Sequence, residues 1–106
     1  MRIIVLGTYG LGAALASHLH LPHIQRVEEV TSDGFVVDGA PRTLAEARAL
    51  DAMLRSRAAE VDAVLVAGPA DPQVLDHYLG RVIELDPDAE TFELALQGLR
   101  EVLLAA

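Results

Sequence analysis

Four short, mostly apolar runs constrain this chain more than any other feature: RIIVL at Arg2 to Leu6, FVV at Phe35 to Val37, AVLVA at Ala63 to Ala67 and VIEL at Val82 to Leu85. Runs of this length without polar alternation fit strands covered on both faces, the environment of a parallel sheet. Parallel neighbours need crossover connections, and helical patterns stand between the runs. Gly10 to Leu19 places Leu11, Leu15 and Leu19 on one stripe. Thr43 followed by Glu46 forms a capping box, in which each side chain satisfies a backbone N–H left open by the first turn. Leu44, Ala47, Leu50 and Leu54 continue that helix inward, so Asp51 should face water. Asp71 and Pro72 read as N-cap and first residue of a helix running to about Leu79 and stopping at Gly80. Asp86 or Asp88 caps a last helix with Phe92, Leu96, Leu99 and Leu103 on its inner face. Counting an extended piece around Ile24 to Val30 as the second strand, the expected fold is α/β: a three-layer α/β/α arrangement with a short parallel sheet. Its certain strands take the order 3-1-4-5, with strand 2 at the edge beyond strand 3.

The 106 residues show no internal repeat and fit one domain, 1–106, long enough to bury a core. With no cysteine, disulfides and thiolate metal sites are excluded. No apolar run has membrane-spanning length, and the N-terminus opens on a strand-like run rather than a leader, so a cytoplasmic protein without a membrane partner is expected. Net charge is −8, from sixteen acids against eight arginines, and the sequence contains no lysine. Such a balance repels polyanions and argues against nucleic acid as a partner.

The chemistry of an open α/β sheet sits at the carboxyl ends of its strands. There the first run hands over to GTYGLGAA, Gly7 to Ala14. Gly7 and Gly12 have the spacing of the phosphate loop G-x-x-x-x-G-K-[ST], in which backbone amides surround phosphates, a lysine bridges the outer ones and a hydroxyl holds Mg²⁺. Gly7, Gly10, Gly12 and Ala13 could still curve around a phosphate, but Ala13 supplies no charge and Ala14 no metal ligand. Three competing readings are weaker. A dinucleotide fingerprint with Glu28 or Glu29 as the ribose acid needs glycine where Tyr9 stands. His18, His20 and His23 straddle a helix end and a proline and read as surface or capping residues rather than metal ligands. Glu84, Asp86, Asp88, Glu90 and Glu93 lack the glycine turn of a calcium loop and read as capping and helix-dipole complementation.

MRIIVLG, LPHI at Leu21 to Ile24, GFVVDGAPRT at Gly34 to Thr43, VDAVLV at Val61 to Val66 and LGR at Leu79 to Arg81 occur in the order seen in the adenylate kinase family, which the chain resembles over nearly its whole length. The most specific part is DGAPRT, similar to that family's DGFPRT signature with Ala40 in place of phenylalanine. The resemblance implies a P-loop kinase core and a cis Ala40–Pro41 bond. It also implies that Arg42 and Arg81 correspond to phosphate-contacting arginines and Asp38 to the acid near metal and nucleotide. His77 stands where an arginine commonly lies against the base. Against that implied role, the reading expected for Arg42 is a buried brace pairing with a sheet-end carboxylate such as Asp38. Only nine residues separate Ile24 from Gly34, where the family has its nucleoside-monophosphate-binding segment, and Arg81 runs directly into Val82, where the family inserts its lid.

Phosphoryl transfer rests on positioning and charge stabilisation, and each lost contact costs about 10²-fold to 10³-fold. With the lysine, the hydroxyl, the lid arginines and the closing segments all missing, the expectation is a non-catalytic core with no catalytic residue, no metal and no resident cofactor. Two roles remain open. One is an interaction or structural domain, a homodimer or other homo-oligomer reburying the high apolar fraction. The other is a weak ATP, AMP or phosphate-binding module using Gly10 to Ala13, Arg42 and Arg81. A minimised core whose only task is to fold is a third reading.

Overall fold

The computed structural model describes residues 1–6, 11–30, 34–85 and 91–105. Its elements in chain order are β1 (Arg2–Leu6), α1 (Leu11–Leu19), β2 (His23–Ile24), a 3₁₀ turn (Val27–Glu29), β3 (Phe35–Asp38), α2 (Leu44–Arg55), β4 (Ala63–Val66), α3 (Pro72–His77), β5 (Val82–Glu84) and α4 (Thr91–Ala105). The five strands form one sheet in the expected order β2-β3-β1-β4-β5, and all its pairs are parallel, as crossover helices between successive runs allow. The extended piece expected over Ile24 to Val30 is shorter than its apolar content suggests. Only His23 and Ile24 pair with β3, and Val27 buries itself from a 3₁₀ turn instead.

The central strand shows why the runs lack alternation. Ile3 and Val5 of β1 point into a cluster with Leu11, Leu15 and Ala16 of α1 and Ala95 and Leu99 of α4. Ile4 and Leu6 point the other way, into a cluster with Ala47, Leu50 and Leu54 of α2 and Val74 of α3. Both faces are dry, and Ile3, Ile4 and Val5 are completely buried. Helices on both sides of the sheet make the three layers. On α4 the innermost place belongs to Ala95, with Leu99 beside it and Leu96 partly buried. A small residue suits this close approach, since a Cβ at Gly98 would come within 2.9 Å of Ile83 Cγ2. Asp86 and Asp88 as caps, and the side chains of Phe92 and Leu103, lie outside the described residues.

The helix starts follow the sequence signals. The Asp71 side chain accepts from the Gln73 amide at 2.8 Å, with Pro72 opening α3. At α2, Thr43 Oγ1 accepts from the Glu46 amide at 3.2 Å. The reciprocal half of the box differs from expectation: Glu46 Oε2 accepts from the Arg42 amide at 2.6 Å, one residue beyond the cap. α3 ends at His77, two residues short of the expected stop, leaving Leu79 80% exposed before Gly80 turns the chain at φ +93°.

Candidate functional site

The carboxyl ends of β1, β3 and β4 converge on one edge. Gly39 donates to the Val5 carbonyl at 2.8 Å and Ala67 to the Leu6 carbonyl at 3.0 Å, so the chain leaves β3 and β4 in step with β1. Gly39 sits at φ +79°, a left-handed conformation that L side chains rarely adopt, and starts the turn through the cis Ala40–Pro41 bond to Arg42. A cleft of about 540 Å³ opens beside this turn, lined by Gln25, Arg26, Glu28, Asp38, Arg42 and Glu46. A smaller cavity of about 180 Å³ lies on the far side of Arg42, against Pro41, Pro69 and Asp71.

Asp38 is the most constrained polar group of this edge. Side chains alternate along β3, with Phe35 and Val37 in the α2 layer and Val36 in the α1 layer, so Asp38 faces α1. There it meets Gly12: a Cβ at that glycine would fall 2.5 Å from Asp38 Cγ and 2.7 Å from Oδ2. His23, opposite Val36 in the parallel register, shares that face. Its Nε2 lies 2.9 Å from Asp38 Oδ2, and because a carboxylate only accepts, the imidazole N–H donates.

This arrangement corrects the brace expected for Arg42. Arg42 Nε donates to the Gly39 carbonyl at 3.3 Å, and among the described residues neither Arg42 nor Arg26 pairs with a carboxylate. The physical reason is the sheet itself. Asp38 belongs to the α1 layer, whereas Arg42 lies past the turn at the entrance to α2. Gly12 is buried, while Ala13 and Ala14 are exposed on the first turn of α1. Gly7, Tyr9 and Gly10 lie outside the described residues.

Arg81 is not part of this edge. It immediately precedes β5, donates from Nη1 to the Val61 carbonyl at 3.0 Å and holds its guanidinium 5.7 Å from the Tyr78 ring centroid. In a parallel sheet the start of β5 lies at the end opposite the tip of β3, so Arg81 and Arg42 do not converge. Near Arg81, Asp51 overturns a second expectation. Its side chain is only 14% exposed; it accepts from His77 Nε2, and the Tyr78 hydroxyl lies 3.4 Å from its Oδ1. The apolar stripe of α2 gave the helix face correctly, but an acid at the margin of that stripe is covered once α3 docks. Burial, the Asp51 charge and the contact with that carboxylate hold the Tyr78 hydroxyl well above its ordinary value of 10.0, with Arg81 opposing. A raised folded-state value keeps the stabilisation intact below the unfolded value and loses it as pH climbs past about 10. The denaturant midpoint should therefore fall more steeply between about pH 9 and 11 in the wild type than in Tyr78→Phe. Equal slopes would show that the Tyr78 hydroxyl ionises as freely folded as unfolded.

No family model matches the chain. It is 38% identical over 78 residues to an adenylate kinase of Phenylobacterium zucineum, covering 70% of this chain and 41% of that protein. It is 49% identical over 85 residues to an adenylate kinase of Methylobacterium nodulans, covering 71% and 43%. An adenylate kinase of Mycobacterium leprae is 45% identical over 51 residues, 48% of this chain and 28% of its own length. The chain is adenylate kinase-like. It spans about two fifths of the first two relatives. The five-stranded parallel sheet and its flanking helices agree with the P-loop kinase core that the likeness implies. No helix among the described residues is long and apolar enough to cross a membrane.

Where the phosphate-loop pattern has a metal-binding hydroxyl this chain has Ala14, and Asp38 is hydrogen-bonded to His23 and pressed against Gly12. Among the described residues no group of three or more acids and histidines could hold a metal ion.

Proposed function

We propose that this chain is an adenylate kinase-like phosphate-binding core that does not itself transfer a phosphoryl group. The observation that carries the reading is the position of Arg42: it stands between the two cavities at the strand ends, exposed and without a carboxylate partner among the described residues. Arg26 adds a second cation to the lining of the larger cleft. Three acids, Glu28, Asp38 and Glu46, share that lining, and the hydrogen bonds from His23 and the Arg42 amide disperse the charge of the last two without cancelling it, so the arginines attract an anion against a standing repulsion. Binding is accordingly weak and salt-sensitive, since an exposed site shares its field with solvent ions.

Absence of transfer rests on chemistry missing from the chain. Methyl groups at Ala13 and Ala14 replace the ammonium and the metal-binding hydroxyl, and Arg81 lies at the wrong end of the sheet to help. Stabilisation of a developing charge in an open, wet cleft is also small compared with that in a closed site.

Titration calorimetry with inorganic phosphate, AMP and ATP tests the reading. Arg42→Ala should weaken phosphate binding about tenfold or more, the worth of one charge-assisted hydrogen bond. A coupled assay with ATP and AMP should detect no ADP. Affinity unchanged in Arg42→Ala would remove the proposed site, and ADP formation lost in that variant would make the chain a kinase.

A further inference from the structure

We propose that His23 occupies the place of a divalent cation beside Asp38, so that the strand-end cleft of this chain works without a metal ion. The part concerning phosphate rests on the phosphate-binding reading above; the part concerning Asp38 stands on geometry alone.

Asp38 is the acid at the tip of β3, beside the first turn of α1, and is well placed to meet a cation at the strand ends. Its Oδ2 is covered from two sides. Gly12 of α1 lies against it, close enough that even a methyl group would not fit, and the His23 N–H donates to it at 2.9 Å. The Asp38 side chain keeps 20% exposure and that of His23 32%, so the pair is partly covered and still meets solvent. A magnesium ion needs oxygen ligands at about 2.0–2.1 Å in near-octahedral array and gives up its waters reluctantly. An imidazole at hydrogen-bond distance from Oδ2 stands where a metal ion or its water would approach that oxygen. Of the other acids lining the cleft, Glu46 is turned to the Arg42 amide, which leaves Glu28 as the one further carboxylate, and the Ala14 side chain has no oxygen to add.

His23 is held in this role by the fold. It lies on the edge strand β2, in register with Val36, on the α1 face, two residues short of the Asp38 position along the same side of the sheet. It is thus a positioning residue: it acts on ligands only through the carboxylate it engages.

The test is paramagnetic broadening of amide resonances by MnCl₂ in wild type, His23→Ala, His23→Gln and Asp38→Asn, with inorganic phosphate affinity measured separately in EDTA and in Mg²⁺. In His23→Ala the Asp38 and Gly39 signals should broaden at Mn²⁺ concentrations about tenfold below those needed in wild type. His23→Gln, whose amide can still donate, should behave as wild type, which a merely structural role would not require. Wild-type phosphate affinity should be the same with and without Mg²⁺. The proposal is overturned if wild-type Asp38 and Gly39 broaden as readily as those of His23→Ala and lose that broadening in Asp38→Asn. It is equally overturned if His23→Ala gains no Mn²⁺ response, and should that variant not fold, the comparison of wild type with Asp38→Asn decides. Absence of phosphate binding in every variant would sink the phosphate-binding reading while leaving the Mn²⁺ result to judge His23.

Discussion

Tyr78→Ala should lower unfolding free energy by about 3–5 kcal/mol, the range for removing a large aromatic ring from a packed interior. Tyr78 heads the fully buried side chains by volume and shares an apolar cluster with Leu50, Leu54, Val61 and Val74. Its ring meets His77 edge-on at 4.8 Å between centroids and lies beneath the Arg81 guanidinium. Truncation would leave a cavity under α3, whose six residues hold few other anchors, and would strip packing from the His77–Asp51 pair. Against a domain stability of about 5–15 kcal/mol this loss is large. Tyr78→Phe separates the ring from the hydroxyl. Its 3.4 Å contact with Asp51 is long for a hydrogen bond, so that variant should cost less than about 1 kcal/mol near neutral pH. Urea unfolding of the two variants provides the check, and a Tyr78→Ala penalty as small as that of Tyr78→Phe would mean the α2–α3 seam is not where the layer is held.

Gly12→Ala should destabilise the fold by about 1–3 kcal/mol although alanine is the better helix former. Two effects oppose each other. Adding a methyl near the start of α1 gains at most about 1 kcal/mol of helix propensity. The same methyl would stand 2.5 Å from Asp38 Cγ, so the carboxyl must leave, and with it goes the hydrogen bond to His23. The steric and hydrogen-bond losses exceed the propensity gain. A double-mutant cycle makes this specific: in an Asp38→Ala background, Gly12→Ala should become neutral or stabilising, because the obstacle has been removed. If Gly12→Ala raised the thermal midpoint in the otherwise unchanged chain, the close approach of α1 to Asp38 would be disproved.

Much of the fold was legible because its signals are local. Asp71 with Pro72 and Thr43 with Glu46 announce helix starts through bonds that span a few residues. The continuous run Ile3 to Leu6 announces burial on two faces because its neighbours in space are the runs of β3 and β4, both parallel to it. Alternating runs and helices imply parallel pairing, whereas the order β2-β3-β1-β4-β5 is more than these local signals fix. The site was legible in part. The DGAPRT turn placed Arg42 and Asp38 near one another, and the cis Ala40–Pro41 bond agrees with the resemblance.

What the sequence by itself determined about this protein is therefore its layers, its parallel strands, the caps of α2 and α3, and the missing ammonium and hydroxyl at Ala13 and Ala14. What only the tertiary structure decided is who partners whom. Asp38 meets His23 rather than Arg42, Asp51 meets His77 rather than water, and Arg81 reaches the Val61 carbonyl at the far end of the sheet. Local patterns specify period, turn and cap, because those forces act within a few residues. Pairs separated by 15 to 26 positions are chosen by strand register and by which layer a side chain enters, and these exist only once the sheet has closed.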